Sequence, residues 1–385
     1  MAAESKPKRK RDSQEEEINQ KKTRIADEES RPLLKLTQHL LKTYLAVNNA
    51  HYSNTKTNTI KKIKFLGRGG FGEVALYKDS RGLEHAIKKI KNQKQFTEEA
   101  KKEIHILQIL NKNDPFDKYH IIRMRGHYLN GTQQCIIFEP LVCNLYELIK
   151  KTNYRGLSLF LTYKFGIQLL EALQFLKTLG IMHCDIKPEN IMLCHPRRAK
   201  IKLIDFGSSC FIGDTMYTYI QSRYYRSPEI LLERLYDESI DMWSLGCVLC
   251  ELYTGKTLFH SKSSQHQMEL IIKKLGPLPE RMLPTEDSKI YKWFYENQKS
   301  VSSTAPVSSD ESHSELHKFL GYNSTPVKNE SDKLRMQMIS NFVGLIKSML
   351  EHDPHQRINP TDALKIVCDN MTNVEILRQI KRYSD

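Results

Sequence analysis

The chain has 385 residues, of which 39 % are hydrophobic and 27 % charged, and its formal net charge is +14. No run approaches the roughly 20 apolar residues of a membrane span, and the polar, basic start from Met1 to Arg11 lacks the apolar core of a secretory signal. The basic excess points to phosphate-rich or acidic partners; a basic tail beside a nucleotide-handling surface accounts for it without nucleic-acid binding.

Residues 1–52 are expected to be a disordered tail. Its charge is clustered as Lys6-Pro7-Lys8-Arg9-Lys10-Arg11, Glu15-Glu16-Glu17 and Lys21-Lys22-Thr23-Arg24, with few apolar residues to bury. Two basic clusters around a short spacer read as a nuclear-import signal, so import receptors are expected partners and the nucleus and cytoplasm the expected locations. A short amphipathic helix is expected around Leu33 to Leu45. A competing reading makes this tail a nucleic-acid-binding element; it would bind in a salt-dependent way.

From about Ile60 the pattern changes to short alternating runs. Phe65-Leu66, Val74, Leu76 and Ala86-Ile87 are separated by glycines and by the turn signal Asp79-Ser80-Arg81-Gly82, which predicts antiparallel strands. Glu98 to Leu110 is predicted helical, with Ile106, Ile109 and Leu110 on one face. Cys135 to Phe138 is a further apolar strand. Beyond it the pattern turns helical: Phe165, Leu169, Ala172, Leu173 and Leu176 form one stripe. Residues 298–333, rich in Ser, Thr, Asn and Pro, are expected to be a flexible insert. Eight cysteines lie between Cys135 and Cys368, and a chain this large needs no staples, so free thiols in a reducing compartment are expected. Cys247 and Cys250 have C-x-x-C spacing but no second ligand pair, and read as core packing.

The chemistry gathers in four places. Gly67-Arg68-Gly69-Gly70-Phe71-Gly72 is followed by Glu73-Val74-Ala75-Leu76-Tyr77, which alternates like a strand. That favours a glycine hairpin over a nucleotide's phosphates rather than a dinucleotide fold, where a helix follows the glycines. The next strand carries Lys88, whose burial needs a charged partner, and Glu103 on the predicted helix can supply it. His183-Cys184-Asp185-Ile186-Lys187-Pro188-Glu189-Asn190 packs two acids, a lysine and an amide into one short loop. Asp185 would orient a substrate hydroxyl and take its proton. Lys187 would neutralise a transferred phosphoryl, and Asn190 would offer an oxygen to Mg²⁺. Asp205-Phe206-Gly207 follows, with a hard carboxylate ligand for the same metal. Phosphoryl transfer asks for this kind of positioning and charge stabilisation.

In order and spacing these residues match the protein-kinase signature set over roughly 60–368. Ser227-Pro228-Glu229 stands where that family has Ala-Pro-Glu. Asp241 resembles the buried aspartate that anchors the catalytic loop, and Arg357 the late arginine that pairs with Glu229. The insert after Leu275-Gly276-Pro277 resembles the CMGC group. Asn144-Leu145-Tyr146, His183-Cys184-Asp185, Asp205-Phe206-Gly207-Ser208-Ser209-Cys210 and Tyr217 to Arg226 resemble the dual-specificity tyrosine-regulated kinases (the DYRK family), with the homeodomain-interacting protein kinases as close neighbours.

The resemblance implies an α+β bilobal protein-kinase fold. A small antiparallel-sheet lobe would span about 60–140, a larger helical lobe about 142–368, and a C-terminal extension 369–385. It implies an ATP site formed by Leu66, Val74, Ala86 and Met192, with Phe138 as gatekeeper and hinge bonds from Glu139 and Leu141, beneath the glycine loop from Gly67 to Glu73. It implies transfer to Ser and Thr of protein substrates, often before a proline and with an arginine upstream, with Mg²⁺ as cofactor. It also implies tyrosine self-phosphorylation at Tyr219. Cys184 stands where most loop-activated kinases carry an arginine, so a phosphate on Tyr219 is expected to draw on Arg223 and Arg226. Cys184 and Cys210 flank the site on loops that should meet, which raises a redox bridge between them as a regulatory reading. Four features depart from the family pattern. Gly70 replaces a usual serine, Pro140 sits in the hinge, no acidic, tyrosine-rich box is found before the domain, and residues 298–333 have no counterpart. A catalytically silent scaffold would normally have lost one of Lys88, Glu103, Asp185, Asn190 or Asp205; all are present.

Overall fold

The computed structural model describes residues 60–214, 220–286, 288, 290–296, 315–321 and 330–382. The expected tail with its helix at 33–45, Tyr217, Thr218 and Tyr219 lie outside the described residues, as does much of 298–333.

The first lobe is a five-stranded antiparallel sheet in the order β1-β2-β3-β5-β4. Its strands are β1 (Lys61–Arg68), β2 (Gly72–Lys78), β3 (Glu84–Ile90), β4 (Met124–Asn130) and β5 (Gln133–Phe138). The Asp79–Gly82 turn joins β2 to β3 as its sequence dictates. Asp79 accepts from the main-chain N–H of Arg81 and Leu83, and Gly82 takes φ +82°. One helix, α1 (Lys94–Asn113), packs on this sheet and buries Ala100, Glu103, Ile104, Ile106, Leu107 and Leu110. It is longer at both ends than its apolar stripe indicated, because exposed Lys, Gln and Glu are good helix formers without marking a face.

The second lobe is mainly helical. A short strand β6 (Cys143–Asn144) leads into α2 (Leu145–Lys151), whose start is a reciprocal cap. The Asn144 side chain accepts from Glu147 N–H, and the Glu147 carboxylate accepts from Asn144 N–H. The apolar stripe noted above lies on α3 (Leu159–Thr178), where Phe165, Leu169, Ala172, Leu173 and Leu176 are all buried. Then come β7 (Ile181–Met182), β8 (Ile191–His195), β9 (Arg198–Leu203) and β10 (Cys210–Phe211), which pair as β6-β8-β9 and β10-β7. The helices α4 (Pro228–Leu231), α5 (Ser239–Thr254), α6 (Ser264–Leu275), α7 (Tyr291–Glu296), α8 (Glu330–Met349) and α9 (Pro360–Arg382) complete the lobe. Helix α5 is buried nearly all round, so Cys247 and Cys250 are core side chains. All eight cysteines are free thiols.

Arg357 reaches across 128 positions of sequence to Glu229, with Nη1–Oε1 at 2.6 Å and Nη2–Oε2 at 2.9 Å. Both side chains are fully buried, and the guanidinium lies over the Trp243 ring. This pair fixes the short helix α4 to the floor of the lobe.

One stretch differs from expectation. The stretch 298–333 is not wholly a flexible insert: residues 315–319 are helical, Leu316 and Leu320 are buried in the main core, and α8 begins at Glu330. Its polar composition hid two leucines spaced at i and i+4, enough to dock one turn. Helix α9 runs across the 368–369 border, so the C-terminal extension continues it to Arg382.

Candidate functional site

Lys88 sits in the middle of β3, opposite Val74 on one side and Ile136 on the other. A lysine on so apolar a strand needs carboxylates. Its Nζ donates to both oxygens of Glu103 at 2.9 Å and to Asp205 Oδ1 at 3.0 Å. Glu103 is 3 % exposed and arrives from α1; Asp205 arrives from the segment after β9. Burial pulls the Lys88 ammonium down, but the two carboxylates outweigh it and hold the pKa above its usual value. For Asp205, burial pushes up and Lys88 pulls down, with a net fall. Both groups stay charged at neutral pH.

The glycine loop lies over this lysine. Phe71 places its ring 6.0 Å from Lys88 Nζ and meets Phe96 of α1 edge-on. Gly69 N–H donates to Gly72 carbonyl and closes the hairpin. Only Gly72 is demanded by the protein itself, since a Cβ there would stand 2.0 Å from the Lys89 carbonyl oxygen. At Gly67, Gly69 and Gly70 a Cβ would meet nothing within 4 Å. That open space is what a phosphate-covering loop requires. Arg68 and Glu73 face each other across the hairpin at 3.4 Å.

The second cluster surrounds Asp185. Lys187 Nζ donates to its Oδ2 at 2.6 Å, and the Asn190 amide donates to Oδ2 at 3.0 Å and to the Asp185 main-chain oxygen at 2.9 Å. Ser222 Oγ donates to Oδ1 at 2.8 Å and accepts from Lys187 at 3.0 Å. With its NH₂ given to Asp185, Asn190 is left with its amide oxygen as the group to offer a cation. Asp241 anchors the loop from below, accepting from His183 N–H at 2.7 Å and Cys184 N–H at 3.0 Å. These bonds support the φ of +64° at Cys184, a conformation costly for a side-chain-bearing residue. His183 packs edge-on against Phe206 and donates from Nε2 to the Ile204 carbonyl at 3.0 Å, which keeps the Asp205 segment in place.

A cavity of about 490 Å³ opens beside these groups, lined among others by Phe71, Lys102, Asp185, Gly207, Ser222 and Arg223. Beside it, the described part of the loop after residue 219 is held tightly. Gln221 takes φ +62°, and its side chain bonds Ile240, Ser244 and Ser227. Arg226 is buried and gives Nε to the Ile220 carbonyl and Nη2 to the Gln221 carbonyl. Arg223 is partly exposed and donates to the Lys262 carbonyl. The sulfurs of Cys184 and Cys210 lie 3.6 Å apart.

Sequence reasoning missed Ser222 and Gln221. Neither carries a signal of its own, since one is a common hydroxyl and the other a non-glycine at positive φ. The expected nucleotide residues fall on strands of two sheets. Leu66 is exposed on β1, Ala86 faces Phe138 in the β3–β5 register, and Met192 faces Asn144 in β6–β8. Glu139 N–H donates to the Arg123 carbonyl, and its carboxylate accepts from Arg123 N–H and Lys202 Nζ, so its own carbonyl is what it can turn to a base. Leu141 follows, partly buried, two residues on. For a metal, the available donors are the Asn190 oxygen and the Asp205 carboxylate, one carboxylate and one amide. That fits a hard cation completed by phosphate oxygens and water rather than an all-protein cage. Among the described residues no helix is long and apolar enough to cross a membrane.

The protein kinase domain family matches residues 60–367. The chain is 38 % identical over 304 residues to Serine/threonine-protein kinase ppk5 of Schizosaccharomyces pombe, covering 79 % of this chain and 35 % of that protein. It is 37 % identical over 338 residues to the Putative dual specificity tyrosine-phosphorylation-regulated kinase 3 homolog of Drosophila melanogaster, covering 83 % and 40 %. It is 38 % identical over 316 residues to Dual specificity tyrosine-phosphorylation-regulated kinase mbk-2 of Caenorhabditis briggsae, covering 79 % and 38 %. The chain thus spans well under half the length of the curated relatives it matches.

Proposed function

The chain belongs to the protein kinase family, in its dual-specificity tyrosine-regulated branch, and from that premise we propose that it transfers the γ-phosphoryl group of ATP to Ser and Thr of protein substrates, preferring those followed by proline. The observation that carries the transfer is the convergence of Lys88, Glu103 and Asp205 within 3.0 Å contacts, beside Asp185 with Lys187 at 2.6 Å. Asp185 orients the attacking hydroxyl and takes its proton. Lys187 lies where charge builds on the transferred group. Lys88, fixed by Glu103, is placed to hold the α- and β-phosphates. Asn190 and Asp205 would hold Mg²⁺, which supplies positive charge against the phosphate oxygens.

The proline preference rests on one hydrogen bond. A substrate backbone passing Gln221 would normally find a carbonyl there to accept its N–H. That carbonyl is already taken by Arg226 at 2.8 Å. An ordinary residue after the acceptor would bury an unpaired donor, which costs on the order of 1–3 kcal/mol. Proline has no N–H to lose.

Self-phosphorylation at Tyr219 belongs to the same proposal. Its phosphate would draw on Arg223 more than on Arg226, whose guanidinium is already bonded to loop carbonyls. Import receptors acting on the clusters at 6–11 and 21–24 would bring the protein to the nucleus as well as the cytoplasm.

The test is phosphate transfer from labelled ATP with Mg²⁺ to a Ser-Pro peptide, by the parent and by Lys88→Met and Asp205→Ala. Loss of transfer in both variants is expected, with the fold retained by thermal melt. Equal transfer by either one overturns the reading. Mass spectrometry of the purified protein, with Tyr219→Phe as control, decides the loop phosphate. A fluorescent fusion of residues 1–30 decides the import signal.

A further inference from the structure

Lys202 lies on β9 and is 1 % exposed, yet it belongs to neither cluster above. Its Nζ donates to Asp117 Oδ1 at 2.6 Å and, at shorter range, to Glu139 Oε1. A buried ammonium is costly unless paired, and this one has two carboxylates. The network continues. Arg123 N–H donates to Glu139 Oε1 at 2.8 Å, and the Arg123 guanidinium bonds the carbonyls of Asn111 and Asp114 and approaches Asp117 at 3.4 Å. Lys200 approaches the other Asp117 oxygen at 3.5 Å.

Three parts of the molecule meet at Lys202 Nζ. Asp117 comes from the loop after α1, the helix that presents Glu103. Glu139 follows β5 and has only its own carbonyl to turn toward a nucleotide base. Lys202 pairs across the β8–β9 register with Met192 and stands three residues before Asp205. The same strand is clamped on its other side, where Leu203 N–H donates to the His120 carbonyl at 2.7 Å and its carbonyl accepts from Ile122 N–H at 3.0 Å.

We propose that Lys202 is a positioning residue for the nucleotide: by bridging Asp117 and Glu139 it fixes the hinge carbonyl and ties the hinge to the strand that delivers Asp205. The proposal rests on the ATP-binding reading above and gives Lys202 a role exerted through Glu139 and Asp117. Removing the cation leaves two carboxylates whose oxygens lie within about 5 Å of each other, and like charges at that range push apart. Glu139 carries the hinge carbonyl on its own backbone, so displacing its carboxylate displaces that carbonyl.

The experiment measures ADP and Mg²⁺-ATP binding by calorimetry on the full chain, which needs no transfer, together with KM and kcat for ATP and peptide. Lys202→Met is expected to weaken nucleotide binding about tenfold, raising the KM for ATP while the KM for peptide stays put and kcat at saturating ATP changes less than about twofold. Asp117→Asn, at a partly exposed loop position, is expected to weaken it several-fold and less than multiplicatively in combination. If Lys202→Met does not fold, Asp117→Asn decides alone. Parent-like nucleotide binding with only a lowered melting temperature makes the network a scaffold and overturns the proposal. A parent that binds nucleotide more tightly than its variants but transfers no phosphate would leave this proposal standing and remove the transferase reading.

Discussion

Arg226 holds the carbonyl of Gln221 at 2.8 Å while Gln221 sits at φ +62°. A left-handed glutamine costs on the order of 1 kcal/mol, and its buried side-chain bonds to Ile240, Ser244 and Ser227 offset that cost. Replacing Arg226 by leucine releases the carbonyl. The ratio of kcat/KM for Ser-Pro over Ser-Ala peptides should then fall by roughly tenfold. An unchanged ratio in a folded Arg226→Leu protein would remove the proline argument.

Ser222 connects the substrate-side loop to the catalytic aspartate. Its hydroxyl donates to Asp185 and accepts from Lys187, so it fixes both groups at once. Ser222→Ala should lower kcat on the order of 10- to 100-fold with the KM for ATP unchanged. Ser222→Thr, which keeps the hydroxyl, should restore most of it. Equal damage from both substitutions would assign the loss to packing instead.

Much of the site was legible because its chemistry is written in contiguous residues. A glycine hairpin, a lysine on an apolar strand and an acid-lysine-amide loop each carry a local signal. Glu103 was found because only one acidic helix lay near in sequence. Lys202 left no such mark. Its strand reads as Arg-Ala-Lys-Ile-Lys-Leu, an ordinary alternating edge, and its partners Asp117 and Glu139 are 85 and 63 residues away. The same reason explains the insert. Leu316 and Leu320 dock only because the lobe offers a groove for them, and composition alone reports their polar neighbours.

His352 adds a pH dependence of known sign. Burial holds its imidazole pKa below the usual value, and a hydrogen bond with the Gly276 carbonyl pulls weakly the other way. The unfolded chain therefore binds a proton that the folded chain refuses between the unfolded value, near 6.5, and the depressed folded one. This contribution to stability is complete above the unfolded value and is lost as pH falls toward the folded one. The melting temperature of the parent should drop more between pH 7.5 and 5.5 than that of His352→Asn. Parallel curves would show that His352 does not titrate in that window.

Cys184 and Cys210 are a further pair able to act on the loop. Their sulfurs are 3.6 Å apart and buried, and Gln221 N–H donates to the Cys184 carbonyl, so any shift at Cys184 is felt by the substrate-side loop. A bond of about 2.05 Å needs the sulfurs to approach by roughly 1.5 Å. The hydrogen bond to Cys210, followed by burial, pushes the Cys184 thiol well above its usual pKa. Little thiolate exists at neutral pH, and exchange with a small-molecule disulfide should be slow. In that exchange the two thiols lose two electrons and two protons, and the small disulfide leaves as two thiols. Activity should decline over hours at pH 7, faster at pH 9, and return with a dithiol reductant. Cys210→Ser should resist the oxidant. If it declines at the parent's rate, the sensitive thiol lies elsewhere and the pair serves only as packing between β7 and β10.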